Sequence, residues 1–278
     1  MNLNYLFYRK YFDHLSDDKK ESPLDINKAI FNATTKEVEK KFDFTQNFYM
    51  KTTYPGLLVG IGNPHDATGI SENEVKKLEK EAVKIGFTLD YVTGLPVIPG
   101  STVKGILRSA FSQYPEYVLE KLQDVTGDPT WTRMSEDVLK KIENNIFGNN
   151  GETDIAAQDT FFDACPVKAG VGNKILGEDF VTSHRGRGNR RELDGLVQPN
   201  PVRMIRVLPD VVFEFRFICQ TTKVDEYSLD WKIKKALFSG ILEDLGVGAK
   251  TNVGYGNMIV LKNMDDCQQV LEIDTVKI

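Results

Sequence analysis

The residues best spaced for chemistry are Gly246-Val247-Gly248-Ala249-Lys250-Thr251-Asn252-Val253-Gly254-Tyr255-Gly256, two Gly-x-Gly pairs around a polar centre with one cation. Glycine at this density costs folding entropy. It is used where φ must be positive, or where a backbone comes close to another backbone or to a ligand. Clustered backbone N–H groups form concavities that bind phosphate oxygens, so the chemistry on offer is anion binding. Spacing excludes two nucleotide loops. The dinucleotide fingerprint needs a third glycine where Thr251 stands, and a P-loop needs Gly-Lys-Ser/Thr, which Ala249 interrupts. A glycine-rich turn inside an ordinary hairpin has the same composition.

A second candidate is His184-Arg185-Gly186-Arg187-Gly188-Asn189-Arg190-Arg191, with four arginines in eight residues of a chain whose net charge is −5. The acidic balance argues against bulk coating of nucleic acid but not against a local basic groove. This segment suits the phosphates of a single strand; a solvated loop tip is the alternative. For acid–base work the chain offers His14, His65 and His184. His65 and His184 would make a general acid/base pair, or Asp66 would act with a metal. No spacing requires either, so no catalytic residue, metal ligand or cofactor site is assigned.

The elements that position these residues belong to a chain of 278 residues, enough for a substantial core, with 41% apolar and 27% charged residues. No run approaches the roughly 18 apolar residues of a membrane span, and the first residues lack the layout of a secretory signal. Cys165, Cys219 and Cys267 are widely spaced and odd in number, which suggests no disulfide framework. The cytoplasm is the expected compartment.

Residues 1–54 read as an N-terminal helical extension, from the spacing of Leu3, Leu6, Phe7, Tyr11, Phe12 and Leu15 and from a patch at Val38 to Phe42. Gly56 to Gly62 reads as an apolar strand. Ser71-Glu72-Asn73-Glu74 is a capping box opening a helix. Phe87 to Val92 and Leu95 to Ile98 form a hairpin turning at Thr93-Gly94. Ser101 is the expected N-cap of a helix through Phe111, with Lys104 and Arg108 on one face. Helices at Pro115 to Val125 and Ser135 to Phe147 form an insertion broken at Gly127-Asp128-Pro129. Ile155 to Pro166 and Pro201 to Gln220 read as extended, with the basic segment as a long polar connection between them. A helix from Ser228 to about Leu245 leads into the glycine run and a strand at Asn257 to Leu261. The class is α+β on an antiparallel sheet, and a last strand returning beside the first brings both glycine-rich segments together.

Three sets of residues together resemble the RAMP superfamily of CRISPR-associated proteins. Gly94-Leu95-Pro96-Val97-Ile98-Pro99-Gly100-Ser101-Thr102-Val103-Lys104-Gly105-Ile106-Leu107-Arg108 looks like the superfamily's hairpin entering its first helix. The run Gly246 to Gly256 looks like its C-terminal glycine-rich loop. Phe161-Phe162-Asp163-Ala164, Val181-Thr182-Ser183-His184 and Pro199-Asn200-Pro201-Val202 are similar to the subunit capping one end of the type III-B (Cmr) effector, the sixth of its subunits. The resemblance spans roughly residues 55 to 262; the arginine-rich insert after His184 departs from it.

The resemblance implies a ferredoxin-like, RRM-like sheet with helices on one face, as a single domain over 55–278. A helical insertion around 113–150 and a basic loop around 183–200 elaborate it. It implies a subunit that binds rather than cleaves, near the 3′ side of a guide RNA. The implied partners are guide RNA, complementary target RNA, the backbone RAMP subunit, the small helical subunit and the other end-capping RAMP subunit, with no membrane. An endoribonuclease using His65 and Asp66 is the alternative. The residues expected to touch RNA are Ser101, Thr102, Lys104, Arg108, His184, Arg185, Arg187, Arg190, Arg191, Gly248, Lys250, Asn252 and Gly254. Tyr255 suits either stacking on a base or a place in the core.

Overall fold

The structure, a computed structural model, describes residues 2–8, 10, 23–33, 46–59, 84–85, 88–148, 158–183 and 200–262. The chain opens with helices α1 (Leu3–Tyr8) and α2 (Pro23–Phe31), then strands β1 (Gln46–Thr52), β2 (Lys84–Ile85), β3 (Thr88–Leu89) and β4 (Pro96–Val97). Helices α3 (Gly100–Gln113), α4 (Pro115–Thr126) and α5 (Glu136–Phe147) follow. Next come β5 (Thr160–Phe161), β6 (Cys165–Lys168), β7 (Leu176–Ser183), β8 (Asn200–Val207) and β9 (Val212–Ile218). The hairpin β10 (Thr222–Val224) and β11 (Tyr227–Leu229) leads into α6 (Trp231–Leu245) and β12 (Met258–Leu261). Among the described residues no helix is long and apolar enough to cross a membrane.

The central sheet runs β12-β1-β9-β5, with β6 sharing the same flank of β9, and every pairing is antiparallel. Period-two alternation puts Phe48, Met50 and Thr52 of β1 and Phe213, Phe215 and Phe217 of β9 on one buried face. Helices α3 and α6 cover that face, α3 through Val103, Leu107, Ala110 and Phe111, α6 through Leu237, Phe238, Ile241 and Leu242. Rings fill the seam: Phe48 stacks at 5.4 Å on Phe215, and Phe238 lies 5.9 Å from Phe217 and 6.0 Å from Phe161. Such contacts each add about 0.5–1.5 kcal/mol beyond burial. The edge strand β12 is protected, because the Val260 N–H donates to the Glu243 carboxylate at 3.1 Å.

Strands β7 and β8 form a long hairpin, registered from Leu176 opposite Val207 to Ser183 opposite Asn200, with β2 parallel to β8. The basic segment therefore joins the far ends of two paired strands. Polar Glu178 and Asp179 after Gly177 conceal β7 from an alternation test. At its root the hairpin meets the chain just after β1 through an isolated bridge between Leu57 and Val207.

The two helices expected at Pro115 to Val125 and Ser135 to Phe147 form, as Pro115–Thr126 and Glu136–Phe147. Gly127 (φ 71) ends α4, α4 packs on α6 and α5 on α3. Beneath them Lys234 of α6 is fully buried, with its ammonium 2.9 and 2.7 Å from the Asp159 carboxylate oxygens and 2.7 Å from the Gln220 carbonyl. Burial and the Asp159 charge push the nearby Cys219 thiol up.

Several expectations are corrected. The helical extension does not reach residue 54, because Gln46–Thr52 is an inner strand of the main sheet. Of the expected strand at 56–62, Leu57 makes a single bridge, Leu58 and Val59 belong to no strand, and 60–62 lie outside the described residues. The last helix starts at Trp231 rather than Ser228, because Asp230 caps it by accepting the Ile233 N–H at 2.9 Å while Ser228 belongs to β11. The expected helices at Val38 to Phe42 and after Ser71, and His14, His65 and Asp66, lie outside the described residues.

Candidate nucleic-acid interface

Helix α6 hands the chain to the glycine run at Gly246 (φ 72), and the run folds back on itself. Val247 is buried and its N–H donates to the Gly256 carbonyl at 2.9 Å. Gly256 (φ 76) donates to the Gly56 carbonyl at 2.8 Å, and Ala249 to the Leu58 carbonyl at 2.8 Å. A Cβ on Gly248 would stand 2.2 Å from the Leu58 oxygen, and one on Gly256 1.9 Å from the Val247 oxygen. These glycines admit another backbone, so the base of the loop binds protein. The expected closeness of the two glycine-rich segments holds. Gly248 and Ala249 are exposed although their backbone faces Leu58. The side chains presented at the tip are Lys250 (φ 61) and Asn252, both exposed, with Val253 beside them and Gly254 (φ 93) closing a 3₁₀ turn over Thr251–Val253.

This geometry sets a paired expectation. Gly256→Ala adds a Cβ at positive φ against a carbonyl, which lowers stability by about 2–3 kcal/mol or more. Gly105→Ala, in mid-α3 with nothing within 4 Å of its Cβ, is neutral or stabilising by up to about 1 kcal/mol. Urea midpoints of the two variants read the difference; equal midpoints would contradict the packing described.

Side chains brace the loop from below. The Tyr255 hydroxyl donates to Asp179 on β7, whose Oδ2 stands 3.3 Å from Arg206 Nε on β8. The Arg206 guanidinium in turn donates to the Pro55 carbonyl. Burial, then the Asp179 carboxylate, push the Tyr255 hydroxyl up to about 12. Tyr255 therefore ties loop to hairpin. No sequence pattern marks Asp179 or Arg206, because only the hairpin register brings them together.

The start of α3 differs from expectation. Ser101 is not the N-cap: the helix begins at Gly100, and Ser101 is exposed in its first turn. The Gly100 N–H donates at 2.7 Å to Asp163, and the Thr102 and Val103 N–H groups turn back to the Pro99 carbonyl. A carboxylate thus already takes the Gly100 N–H at this helix start, where an anion is favoured. The Phe161-Phe162-Asp163-Ala164 set locks this junction, since a Cβ on Gly100 would lie 2.2 Å from the Phe161 oxygen and Ala164 bridges Ile98. Thr102 is half-buried. Lys104 is half-buried with no ion pair among the described residues. Arg108 is held 3.1 Å from the buried Glu143 of α5, which also takes Lys140 at 2.7 Å. Its guanidinium joins two helices.

The two candidate loops are not neighbours on the sheet. The α3 start sits on the β5–β6 flank and the glycine run on the β12 edge, roughly three strand spacings or ~14 Å apart. His184, Arg185, Arg187, Arg190 and Arg191 lie outside the described residues, between the ends of β7 and β8. Among the described residues no group of three His, Cys, Asp or Glu side chains could hold a metal ion.

The chain is similar to known proteins over most of its length. The chain is 24% identical over 250 residues to the CRISPR system CMR subunit Cmr6 of Saccharolobus solfataricus, covering 90% of this chain and 69% of that one. It is 25% identical over 297 aligned positions to Cmr6 of Pyrococcus furiosus, covering 87% and 84%. A chain in the cryo-EM structure of the type III-B Cmr-beta complex bound to cognate target RNA matches with a TM-score of 0.49 at 21% identity, over 92% of this chain and 65% of that one. The profile of the RAMP superfamily matches residues 49–259, from β1 to β12, and with three quarters of its length matched this chain belongs to the RAMP superfamily.

Proposed function

We propose that this chain is a non-catalytic RNA-binding subunit of a type III-B CRISPR (Cmr) ribonucleoprotein. In this reading it caps the backbone RAMP filament near the 3′ side of the guide RNA and helps hold guide and target, beside the backbone, small helical and other end-capping subunits. The observation that carries it is the glycine run: a rigid base packed on Gly56 to Leu58, and a tip presenting Lys250 and Asn252 to solvent. Superfamily membership and two relatives named Cmr6 supply the context. The order β12-β1-β9-β5/β6, with α3 and α6 on one face, supports the ferredoxin-like reading, and we take the RAMP domain to begin at β1. RNA contact is assigned to the glycine tip and to the arginine-rich segment between β7 and β8 in sequence, with Lys104 as an outlying cation.

Purification of the assembled complex followed by sequencing of its protected RNA tests this. A guide sequence that crosslinks to the glycine tip or to residues 184–191 is expected. Crosslinks confined to protein neighbours would leave a pure scaffold. The nuclease alternative is read in the same preparation: cleavage that His65→Ala or Asp66→Ala abolishes would overturn the non-catalytic assignment.

A further inference from the structure

Tyr54 is 81% exposed although the backbone around it is tied down on both sides. The Thr53 N–H and hydroxyl both donate to the Asn257 carbonyl at 3.0 Å. The Pro55 carbonyl accepts from Arg206, the Gly56 carbonyl from Gly256, and Leu57 exchanges both backbone hydrogen bonds with Val207. A Cβ on Gly254 would stand 3.3 Å from Pro55 Cδ, so Tyr54-Pro55 lies beside Val253-Gly254. Val253 is itself 61% exposed, and Lys250 makes no ion pair among the described residues. A ring, an apolar side chain, an amide and an unpaired cation thus share one braced surface.

We propose that Tyr54 is a base-stacking platform for a nucleotide of single-stranded RNA whose phosphate is taken by the Lys250–Asn252 tip. The inference rests on the RNA-binding reading above and adds a residue to it. Single-strand binders pair a cationic track with aromatic rings, because every base has a π-face while every phosphate has a charge. A tyrosine loses little conformational entropy on stacking, and here the backbone is already fixed, so less ordering opposes the contact. The unpaired cation favours this occupant over an apolar protein surface, which would leave Lys250 desolvated without a partner.

The test is fluorescence anisotropy of the full chain with labelled oligouridylate and oligoadenylate of about 12 nucleotides. Tyr54→Ala is expected to weaken both by about 5- to 100-fold with an unchanged salt slope, since it removes no charge. Tyr54→Trp retains or tightens binding, whereas Tyr54→Leu, bulky and apolar but without a ring, stays weak. The exposed site leaves the melting temperature of each variant near that of the parent, which separates loss of contact from loss of fold. If Lys250→Ala weakens binding and Tyr54→Ala does not, stacking is wrong and the RNA reading stands. If the parent binds neither probe at low salt, the RNA reading falls and this one with it. If Tyr54→Ala spares RNA but loosens a neighbouring Cmr subunit, Tyr54 belongs to a protein interface and the proposal is overturned.

Discussion

Lys234→Met lowers the stability of the chain by about 3–5 kcal/mol, the range for removing one partner of a buried ion pair. Both side chains are wholly buried, and the ammonium is satisfied by two Asp159 oxygens and the Gln220 carbonyl. Removing the lysine strands a buried carboxylate that keeps the Gln220 N–H at 2.9 Å and the Cys219 thiol as donors but has no compensating positive charge. Asp159→Leu strands the ammonium in the same way. Combined, Lys234→Met and Asp159→Leu leave no buried charge and recover most of the loss, because swapping a whole pair for apolar groups is often neutral or stabilising. Urea denaturation of the parent, both single variants and the double variant measures this cycle. Single losses below about 1 kcal/mol, or a double variant as weak as the sum of the singles, would refute the pair's role.

RNA affinity falls several hundred-fold between about 50 and 200 mM salt. The proposed contacts are Lys104, Arg185, Arg187, Arg190, Arg191 and Lys250, and at roughly 0.7 per phosphate they give a log–log slope near −4. Arg108 is left out because Glu143 already neutralises it. Replacing the four arginines by glutamine brings the slope to about −1, and restoring Arg108 to the account would add only about 0.7. Titrations of the complex across that salt range decide between these values. A slope near zero for the parent would remove the electrostatic grip altogether.

The ion pairs show where reading the sequence stops. Lys104 and Arg108 stand four apart on α3, and helical spacing correctly puts them on one face. It does not reveal Glu143 opposite Arg108, a residue 35 positions away on another helix. Ser101 has the composition of a cap, yet Asp163 supplies the carboxylate at the helix start from beyond the insertion. Asp230 was legible in principle, being a capping type one residue before Trp231. The four-residue repeat of Leu229, Ile233, Leu237, Ile241 and Leu245 nevertheless extends the expected helix into β11, because Leu229 of that strand continues the same spacing. Strand β1 was missed because its aromatic and charged residues suit a surface helix as well as a strand, and burial of one face alone distinguishes them.

What the sequence determined by itself is local and periodic: the α+β class, the helices α4 and α5, the α6-to-glycine-loop order, and membership of the superfamily by two spaced motifs. Those depend on neighbours within a few residues, where 3.6- and 2-residue periods and glycine spacing act directly. The tertiary structure decided what the glycines are for. Positive φ and high glycine density fit both a phosphate nest and a backbone contact, and only the approach of Gly56 to Leu58 tells them apart. That approach depends on chain segments about 200 residues apart meeting across a sheet, and long-range closure of this kind has no signature in local spacing. It turned the base of the loop into packing and left the side chains of Lys250, Asn252 and the unforeseen Tyr54 exposed to solvent.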